Sequence, residues 1–305
     1  MFRELIDIPH SMNWTKVEEI NKGWSKDKKY YIETVGGEKQ LLRLSDISQF
    51  DIKKRDYQIL ENLMDLDILM SKPLDFGVCC NDECVYMLLT WIEGDDAMDV
   101  IPKLVTEDQY KLGLKAGKSL RLMHQIPIEN NGLSWSEHFN KKIDRNIRNY
   151  MSCEIKFEND HKVIEYIEEN RVLLENRPVS LQHGDYHIGN MILNEAGEIG
   201  IIDFNRLDFG DPWEEFNRMT WCASASRHFA TGIINGYFEG EVPNEFFKLM
   251  ALYIGSNQLS SIPWAIPYGE EDVQTMLKQA AEVLESYDNF ETYIPKWYLS
   301  NYKYE

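Results

Sequence analysis

Long apolar runs are missing from this sequence of 305 residues, and none approaches the roughly 18 residues that a membrane-spanning helix requires. The amino-terminal stretch MFRELIDIPH also lacks the basic segment and the apolar core of a secretory signal peptide. We therefore expect a cytoplasmic protein that has no membrane partner.

Cysteine is scarce, with five residues, an odd number without framework spacing. Cys79, Cys80 and Cys84 lie close together in the chain, but their spacing matches no zinc motif. We expect reduced thiols, buried or free, and we assign neither a disulfide nor a zinc site.

Basic residues are also few, because 32 lysines and arginines face 51 aspartates and glutamates and leave a formal net charge of −19. Such a surface repels phosphate backbones, so we expect no nucleic-acid partner. A cationic small molecule would be attracted and enriched near an acidic cleft. Acidity that merely improves solubility is the alternative interpretation.

Material for a packed core is plentiful, since 43% of the residues are hydrophobic and 12% are aromatic. A chain of this length holds one large domain or two ordinary ones. A globular enzyme fits these bounds.

The stretch VSLQHGDYHIGNMILNEAGEIGIIDFNRLDFGDP, from Val179 to Pro212, has the most informative pattern. It contains three short apolar runs, which predict strands at 179–182, 191–193 and 199–202. The Gly-containing connection at 194–197 predicts that the last two strands form a hairpin. The polar residues between the strands therefore fall at strand ends and in one connecting loop.

Three oxygen-bearing side chains are expected to converge there: Asp185, Asn190 and Asp203. Two carboxylates and an amide oxygen suit a hard cation such as Mg²⁺, with phosphate oxygens completing its coordination. The spacing Asp185-x4-Asn190 is that of a kinase catalytic loop, in which the Asp accepts a proton, the Asn binds metal, and a second metal-binding Asp follows. We predict Asp185 as the catalytic residue and Asn190 and Asp203 as metal ligands.

The motifs HGDYHIGN, IIDF and GDPWEEF, in this order, resemble the aminoglycoside phosphotransferase family. These small-molecule kinases are relatives of protein kinases and include choline, fructosamine and homoserine kinases. The resemblance implies an α+β, two-lobed protein-kinase-like fold, with a small β-rich nucleotide-binding lobe over 1–93. A larger, mainly helical lobe over 94–305 would supply catalysis and acceptor binding. The cofactors implied are ATP or GTP and Mg²⁺.

The resemblance also assigns residues that contact the nucleotide phosphates. Gly23 and Ser25 lie where related kinases place the loop over the phosphates, although an ordinary hairpin turn explains them equally well. Arg43 stands where the family commonly has lysine. Asp56, on a helix expected over about 51–63, matches the family's helical acid and would pair with Arg43, unless the true partner is another residue.

The nucleotide base is assigned by the same resemblance to the residues after a strand that is expected to be buried on both faces. Backbone groups of Thr90, Trp91 and Ile92 would bond a purine edge at this hinge. Trp91 would equally suit a place in the core.

Acceptor-binding candidates come from the carboxyl-terminal helical region. They are Glu214, Glu215, Trp264, Tyr268, Glu270, Glu271 and Asp272. The acids would hold a cationic acceptor, although an acid at a helix start is usually only a partner of the helix dipole. The two aromatic residues would stack on a sugar ring or simply pack. Asp211 is expected to cap a helix that has Pro212 at its first position.

The leading acceptor is an aminoglycoside antibiotic or a related amino sugar, which would make the protein an antibiotic-resistance kinase. Choline, ethanolamine and homoserine stay open as acceptors. A non-catalytic binding protein on a kinase-like fold is the alternative from another class. Arg43 favours that alternative, as does Asn205, which stands where protein kinases have the glycine of Asp-Phe-Gly. Intact Asp185, Asn190 and Asp203 favour the enzyme.

Overall fold

The computed structural model describes residues 7–21, 26–128, 132 and 134–300. The chain divides into two compact units, the first comprising Met1–Asp95 with Ile192–Asn205 and the second Asp96–Met191 with Arg206–Glu305. The amino-terminal region is an antiparallel sheet with one helix, and the carboxyl-terminal region is mainly helical. The predicted α+β fold class is confirmed.

Five antiparallel strands form the main sheet of the first unit, in the order β1-β2-β3-β5-β4. Their bounds are Trp14–Glu19 (β1), Lys28–Thr34 (β2), Lys39–Asp46 (β3), Pro73–Cys79 (β4) and Cys84–Thr90 (β5). The turn between β2 and β3 contains Gly37 at φ 83°, a left-handed conformation that glycine adopts without steric cost. Residues 85–89 of β5 are all buried, as its continuous apolar run predicts.

Helix α1 (Phe50–Leu63) buries Leu60 and Leu63, as its apolar spacing predicts. Ile52, in the first turn of the same helix, is 49% exposed. A separate core cluster of the unit includes Tyr30, Ile32 and Leu42 from the sheet.

Residues 192–205 join the first unit through a hairpin of β8 (Met191–Leu193) and β9 (Ile199–Ile201). The Ile201 N–H donates to the Leu69 carbonyl at 2.8 Å, and the Ser71 N–H donates to the Ile201 carbonyl at 3.2 Å. Asp203 and Asn205, which follow β9, are therefore built onto the first unit.

The second unit consists mostly of helices. They are Ala97–Val100 (α2), Thr106–His124 (α3), Trp135–Ser152 (α4), Asp160–Asn170 (α5), Met219–Ala225 (α6), Arg227–Phe238 (α7), Asn244–Ala265 (α8) and Glu270–Ser286 (α9). Short strands complete the assignment, with β6 (Asp95–Asp96) where the chain leaves the first unit and with β7 (Ser180–Gln182) antiparallel to β10 (Asp208–Gly210).

One helix start differs from the sequence expectation. Pro212 does not begin an α-helix, because the segment Glu214–Arg218 is a 3₁₀ helix and the next α-helix begins at Met219. Helix α5 is followed directly by another 3₁₀ helix, Arg171–Leu174. Helix α8 includes Pro263, which costs one backbone hydrogen bond close to the helix end.

Helices α3 and α7 cross at close range because each presents two glycines one turn apart. These are Gly113 and Gly117 on α3, and Gly232 and Gly236 on α7. A Cβ at Gly117 would lie 2.0 Å from the carbonyl oxygen of Ile233, so no larger residue fits there. The crossing fixes α3 at the level where it meets the loop between β7 and β8. Within the described ranges, no helix is both long and apolar enough to span a membrane.

Candidate active site

The loop between β7 and β8 brings Asp185 and Asn190 together in the second unit. The Asn190 side-chain Nδ2 donates to the main-chain oxygen of Asp185 at 2.9 Å, and its backbone N–H donates to the His187 carbonyl at 2.9 Å. The side-chain nitrogen of Asn190 is thus engaged. Its Oδ1, the atom that would bind a Mg²⁺ ion, takes no part in this hydrogen bond. Asp203 belongs to the first unit, and its convergence with these two residues stays a prediction.

Buried residues anchor the loop to the surrounding helices. Tyr186 is 1% exposed, and its hydroxyl donates to the Ala116 carbonyl of α3 at 2.7 Å. Ile188 is fully buried, and its N–H contacts the Cys222 sulfur of α6 at 3.3 Å. Burial raises the pKa of the Tyr186 hydroxyl well above its usual value, so this donor keeps its proton. The loop is therefore held from two sides.

Glu215 fastens the start of the loop by its backbone. Its carboxylate accepts the His183 N–H at 2.6 Å and the Gly184 N–H at 2.9 Å, and the residue is only 2% exposed. These bonds satisfy a buried charge that would otherwise be costly. This corrects the expectation that Glu215 binds the acceptor, because its oxygens already serve the catalytic loop.

Gly184 is required next to Asp185 by both conformation and space. Its φ is +79°, and a Cβ would lie 2.0 Å from the Arg206 carbonyl oxygen. A side chain would therefore push Arg206 away from the loop.

Three basic groups surround the Asp185 carboxylate. Its Oδ1 lies 3.3 Å from Arg218 Nε, 3.7 Å from His187 Nε2 and 3.8 Å from Arg206 Nη1. Reasoning from the sequence did not predict any of them as site residues. The attraction of the two arginines restricts the orientation of the carboxylate that is predicted to meet the acceptor hydroxyl.

His187 is neutral at physiological pH. Burial is the main cause that lowers its pKa to about 4, with help from the nearby arginines and against the pull of Asp185. Its Nδ1 accepts the Gly189 N–H at 3.1 Å, so the neutral ring carries its proton on Nε2. That N–H is the one nearest to Asp185, which makes His187 a neutral neighbour of the carboxylate.

In the first unit, Arg43 on β3 contacts a predicted metal ligand directly. Its Nη1 lies 2.7 Å from Asp203 Oδ1, and its Nη2 lies 3.2 Å from Asp27 Oδ2. Asp56 instead pairs with the adjacent Arg55 at 2.9 Å. The ion pair expected between Arg43 and Asp56 is therefore corrected: among the described side chains, the partners of Arg43 are Asp27 and Asp203.

Asp203 itself has an unusual backbone conformation, with φ at 64°. Non-glycine residues rarely adopt positive φ, although aspartate tolerates it better than most. Strained residues of this kind cluster at ligand sites in many proteins. The conformation agrees with the predicted metal role, and a carboxylate oxygen is a ligand that Mg²⁺ prefers.

The predicted hinge residues differ in what their backbone can offer. The Thr90 N–H donates to the Lys72 carbonyl at 2.8 Å, and the Trp91 N–H donates to the Lys39 carbonyl at 3.1 Å. Neither amide can then bond a purine edge, which corrects that part of the prediction and leaves Ile92 as the candidate donor of the three. Trp91 is 37% exposed and packs edge-on against Tyr31. Gly23 and Ser25 lie outside the described residues.

A cavity of about 250 Å³ lies in the second unit beside the catalytic loop. Its charged lining consists of Lys142, Arg206, Arg218, Asp208 and Glu214, and amide, hydroxyl and aromatic groups complete the wall. Glu214 therefore occupies the region expected of an acceptor-binding acid. It is already paired with Lys142 at 2.9 Å, and three of the five charged groups named in the lining are basic.

The remaining acceptor candidates are not part of this described lining. The rings of Trp264 and Tyr268 lie 4.8 Å apart and pack on each other, with Tyr268 half exposed. Glu270, Glu271 and Asp272 form the first turn of α9, where negative charge stabilises the helix dipole.

Asp211 is a structural residue, although it is not the cap of an α-helix. It is fully buried, and it accepts hydrogen bonds from Arg177 at 2.7 Å, from the Tyr253 hydroxyl at 2.6 Å and from the Trp213 N–H at 3.0 Å. A 3₁₀ helix, Glu214–Arg218, follows it. These bonds tie the end of β10 to helix α8.

The sheet of the first unit, the helices of the second and the Asp185–Asn190 loop define a protein-kinase-like fold. Residues 16–246 match the model of the phosphotransferase enzyme family (APH). Because this match covers more than half of the chain, the protein belongs to that family. It is a small-molecule kinase that transfers a phosphoryl group to a hydroxyl group.

Individual relatives are more distant. A probable aminoglycoside 3'-phosphotransferase of Lactococcus lactis subsp. lactis (strain IL1403) is 25% identical over 211 residues, which cover 66% of this chain and 78% of that protein. The GDP complex of wild-type aminoglycoside 2'-phosphotransferase-IIIa has a TM-score of 0.71 and 14% identity, covering 92% and 96% of the two chains. Amicoumacin kinase hAmiN in complex with AMP-PNP, Ca²⁺ and Ami has a TM-score of 0.63 and 12% identity, covering 92% and 90%. At these identities the structures share the fold.

Proposed function

We propose that this protein transfers the γ-phosphate of ATP or GTP to a hydroxyl group of a sugar-like acceptor, with an aminoglycoside or a related amino sugar as the leading class. The observation that carries the proposal is the loop in which Asp185 and Asn190 are held by Glu215, Tyr186 and Ile188. A loop fixed at this many points is preorganised for catalysis. Solved neighbours in complex with GDP and AMP-PNP support a nucleotide as the donor.

Asp185 would accept the proton of the acceptor hydroxyl as its oxygen forms a bond to the γ-phosphorus and the bond to the leaving diphosphate breaks. In a loose phosphoryl-transfer transition state the nucleophile needs little activation, so orienting the hydroxyl matters more than basicity. Arg218 and Arg206, at 3.3 and 3.8 Å from Asp185, would limit the directions in which it can point. A bound Mg²⁺ ion would neutralise phosphate charge, and Asn190 and Asp203 are the residues that would hold it.

Two observations support an amino sugar as the acceptor. The lactococcal relative is named a probable aminoglycoside phosphotransferase. The net charge of −19 would also draw in a cation from solution.

The charge of the cavity favours a second candidate, a neutral or acidic hydroxyl compound. Lys142, Arg206 and Arg218 outnumber Asp208 and Glu214 in the lining by one charge. Lys142 is paired with Glu214, and the two arginines lie beside Asp185. A polyamine in this cavity would meet positive side chains, and repulsion between like charges disfavours its binding. A sugar carrying a carboxylate would meet complementary ones.

Turnover measurements with an acceptor panel test the proposal. Nucleoside diphosphate release is followed with ATP and with GTP, in Mg²⁺, against kanamycin-like compounds, singly charged amino sugars, sugar acids, choline and homoserine. The leading candidate predicts aminoglycoside turnover that falls as salt rises, because exposed charge contacts are screened. Turnover of a sugar acid without any turnover of aminoglycosides at low or moderate salt would replace it by the second candidate. Nucleotide binding without turnover of any acceptor would favour a binding protein.

A further inference from the structure

A four-residue charge cluster in the first unit contains two cations and two carboxylates. Arg43 and Lys53 are the cations, and Asp27 and Asp203 are the carboxylates. Lys53 Nζ lies 3.1 Å from Asp27 Oδ2, the same oxygen that lies 3.2 Å from Arg43 Nη2. Lys53 also donates to the side-chain oxygen of Asn205, two residues after the predicted metal ligand.

Three of the four side chains are largely removed from solvent. The side chains of Arg43, Lys53 and Asp27 are 7%, 12% and 11% exposed. A buried lysine beside a carboxylate rarely improves stability over a well-packed apolar residue, because both charges lose their hydration. Stability alone therefore does not explain a buried Lys53 on α1, and we look for a functional role.

Asp27 acts as the common anion of the cluster. Its Oδ2 contacts both cations, and its Oδ1 accepts the Ser45 hydroxyl at 2.9 Å. Burial alone would raise the pKa of Asp27, but Arg43 and Lys53 outweigh burial and hold the pKa below its ordinary value. Asp27 thus stays a carboxylate anion between two cations.

The two terminal nitrogens of Arg43 are divided between Asp203 and Asp27. A phosphate that binds these terminal nitrogens would therefore compete with the two carboxylates for the positive charge of the guanidinium. Asp203 is a predicted metal ligand, so a bound Mg²⁺ ion would keep it near the phosphates. Asp27 is the carboxylate that a phosphate would replace, and the cation freed together with Arg43 would be Lys53.

We propose that Lys53 is a second phosphate-binding cation besides Arg43, and that Asp27 holds both cations until the phosphates of the nucleotide displace it. This inference rests on the proposed use of a nucleoside triphosphate. Helix α1 would then supply a lysine, Lys53, to the phosphate site, and β3 would supply an arginine, Arg43. A phosphate-bearing ligand gains from both cations, whereas a nucleoside gains from neither.

Isothermal titration calorimetry with ATP and with adenosine, at fixed Mg²⁺ and salt, tests the assignment on the full chain. Lys53→Gln should weaken ATP binding about tenfold or more, since it removes a charged hydrogen-bond donor to phosphate. Adenosine binding should change by less than about twofold. Lys54→Gln is the matched control because Lys54 is exposed, adjacent on α1 and carries the same charge, and it should leave both affinities unchanged.

Asp27→Asn provides the opposite change. It keeps the shape and the contact with the Ser45 hydroxyl but removes the competing charge, so ATP should bind several-fold more tightly while adenosine does not. Lys53→Arg should restore most of the ATP affinity, and a melting temperature for each variant separates loss of folding from loss of binding.

The outcomes separate two failures. A parent protein that binds neither ATP nor GTP contradicts the proposed function, and this inference with it. A parent that binds ATP while Lys53→Gln matches Lys54→Gln contradicts the inference alone. Weaker ATP binding by Asp27→Asn would also overturn it, because Asp27 would then position the cations for phosphate instead of competing with it.

Discussion

Replacing Glu215 should loosen the catalytic loop without touching any residue that is proposed to contact a ligand. The carboxylate holds the His183 and Gly184 amides at 2.6 and 2.9 Å in a site that is 2% exposed. Hydrogen bonds to a charged group contribute about 1.5–3 kcal/mol each. Glu215→Ala removes both bonds and leaves two buried N–H groups, so the free energy of unfolding should fall by about 3–6 kcal/mol.

Glu215→Gln is the more informative variant because it keeps the shape of the side chain. Its single amide oxygen can accept one N–H, while its NH₂ group faces the other donor. A loss of about 2–3 kcal/mol is expected, together with a drop in kcat that exceeds any change in nucleotide affinity. Urea unfolding at neutral pH and steady-state turnover measure the two effects.

Glu271→Gln is the control for this pair of variants, since Glu271 is an exposed acid in the first turn of α9. It should change the free energy of unfolding by no more than about 0.5 kcal/mol. If Glu215→Gln were as stable and as active as Glu271→Gln, the loop would not depend on this carboxylate and the reasoning would be refuted.

Three further predictions concern the residues around the reaction. Asp185→Asn should lower turnover by orders of magnitude with nucleotide affinity largely kept, and unchanged turnover would remove Asp185 from the mechanism. Asp203→Ala should abolish the Mg²⁺ dependence of nucleotide binding in calorimetry; equal dependence in variant and parent would point to other metal ligands. His187 has a pKa of about 4 in the folded protein against an ordinary value of 6.5, so the unfolded chain takes up its proton first as pH falls. The shift corresponds to about 3 kcal/mol in the free energy of unfolding. This contribution of His187 should be constant above about pH 6.5 and be lost between pH 6.5 and 4. Urea unfolding of parent and His187→Asn across that range should show the difference shrinking toward low pH, and a parallel pair of curves would contradict it.

The order of strands and helices could be predicted because it depends on local patterns. The strand at 191–193 was marked by a short apolar run, and it lies where expected. The Asp185-x4-Asn190 spacing is equally local, and the structure joins the two residues through one hydrogen bond.

Contacts between distant parts of the chain could not be predicted in this way. Lys53 and Asn205 are 152 positions apart, and nothing in the helical pattern of α1 distinguishes Lys53 from its solvent-facing neighbours. Glu215 was misassigned for a related reason. An acid near a helix start can face solvent or turn inward, and only the backbone of His183 and Gly184 decides which.

The first unit is built from two separate stretches of the sequence, because it includes residues 192–205. A protein ending at residue 95 would lack the strand whose backbone pairs with Leu69 and Ser71, and it would leave their backbone groups without these partners. Recombination between relatives that exchanged only the first 95 codons would combine one parent's Arg43 with the other parent's Asp203. Natural or engineered chimaeras should therefore retain function when residues 1–95 and 192–205 come from the same parent. Two distant stretches of coding sequence would then be inherited together.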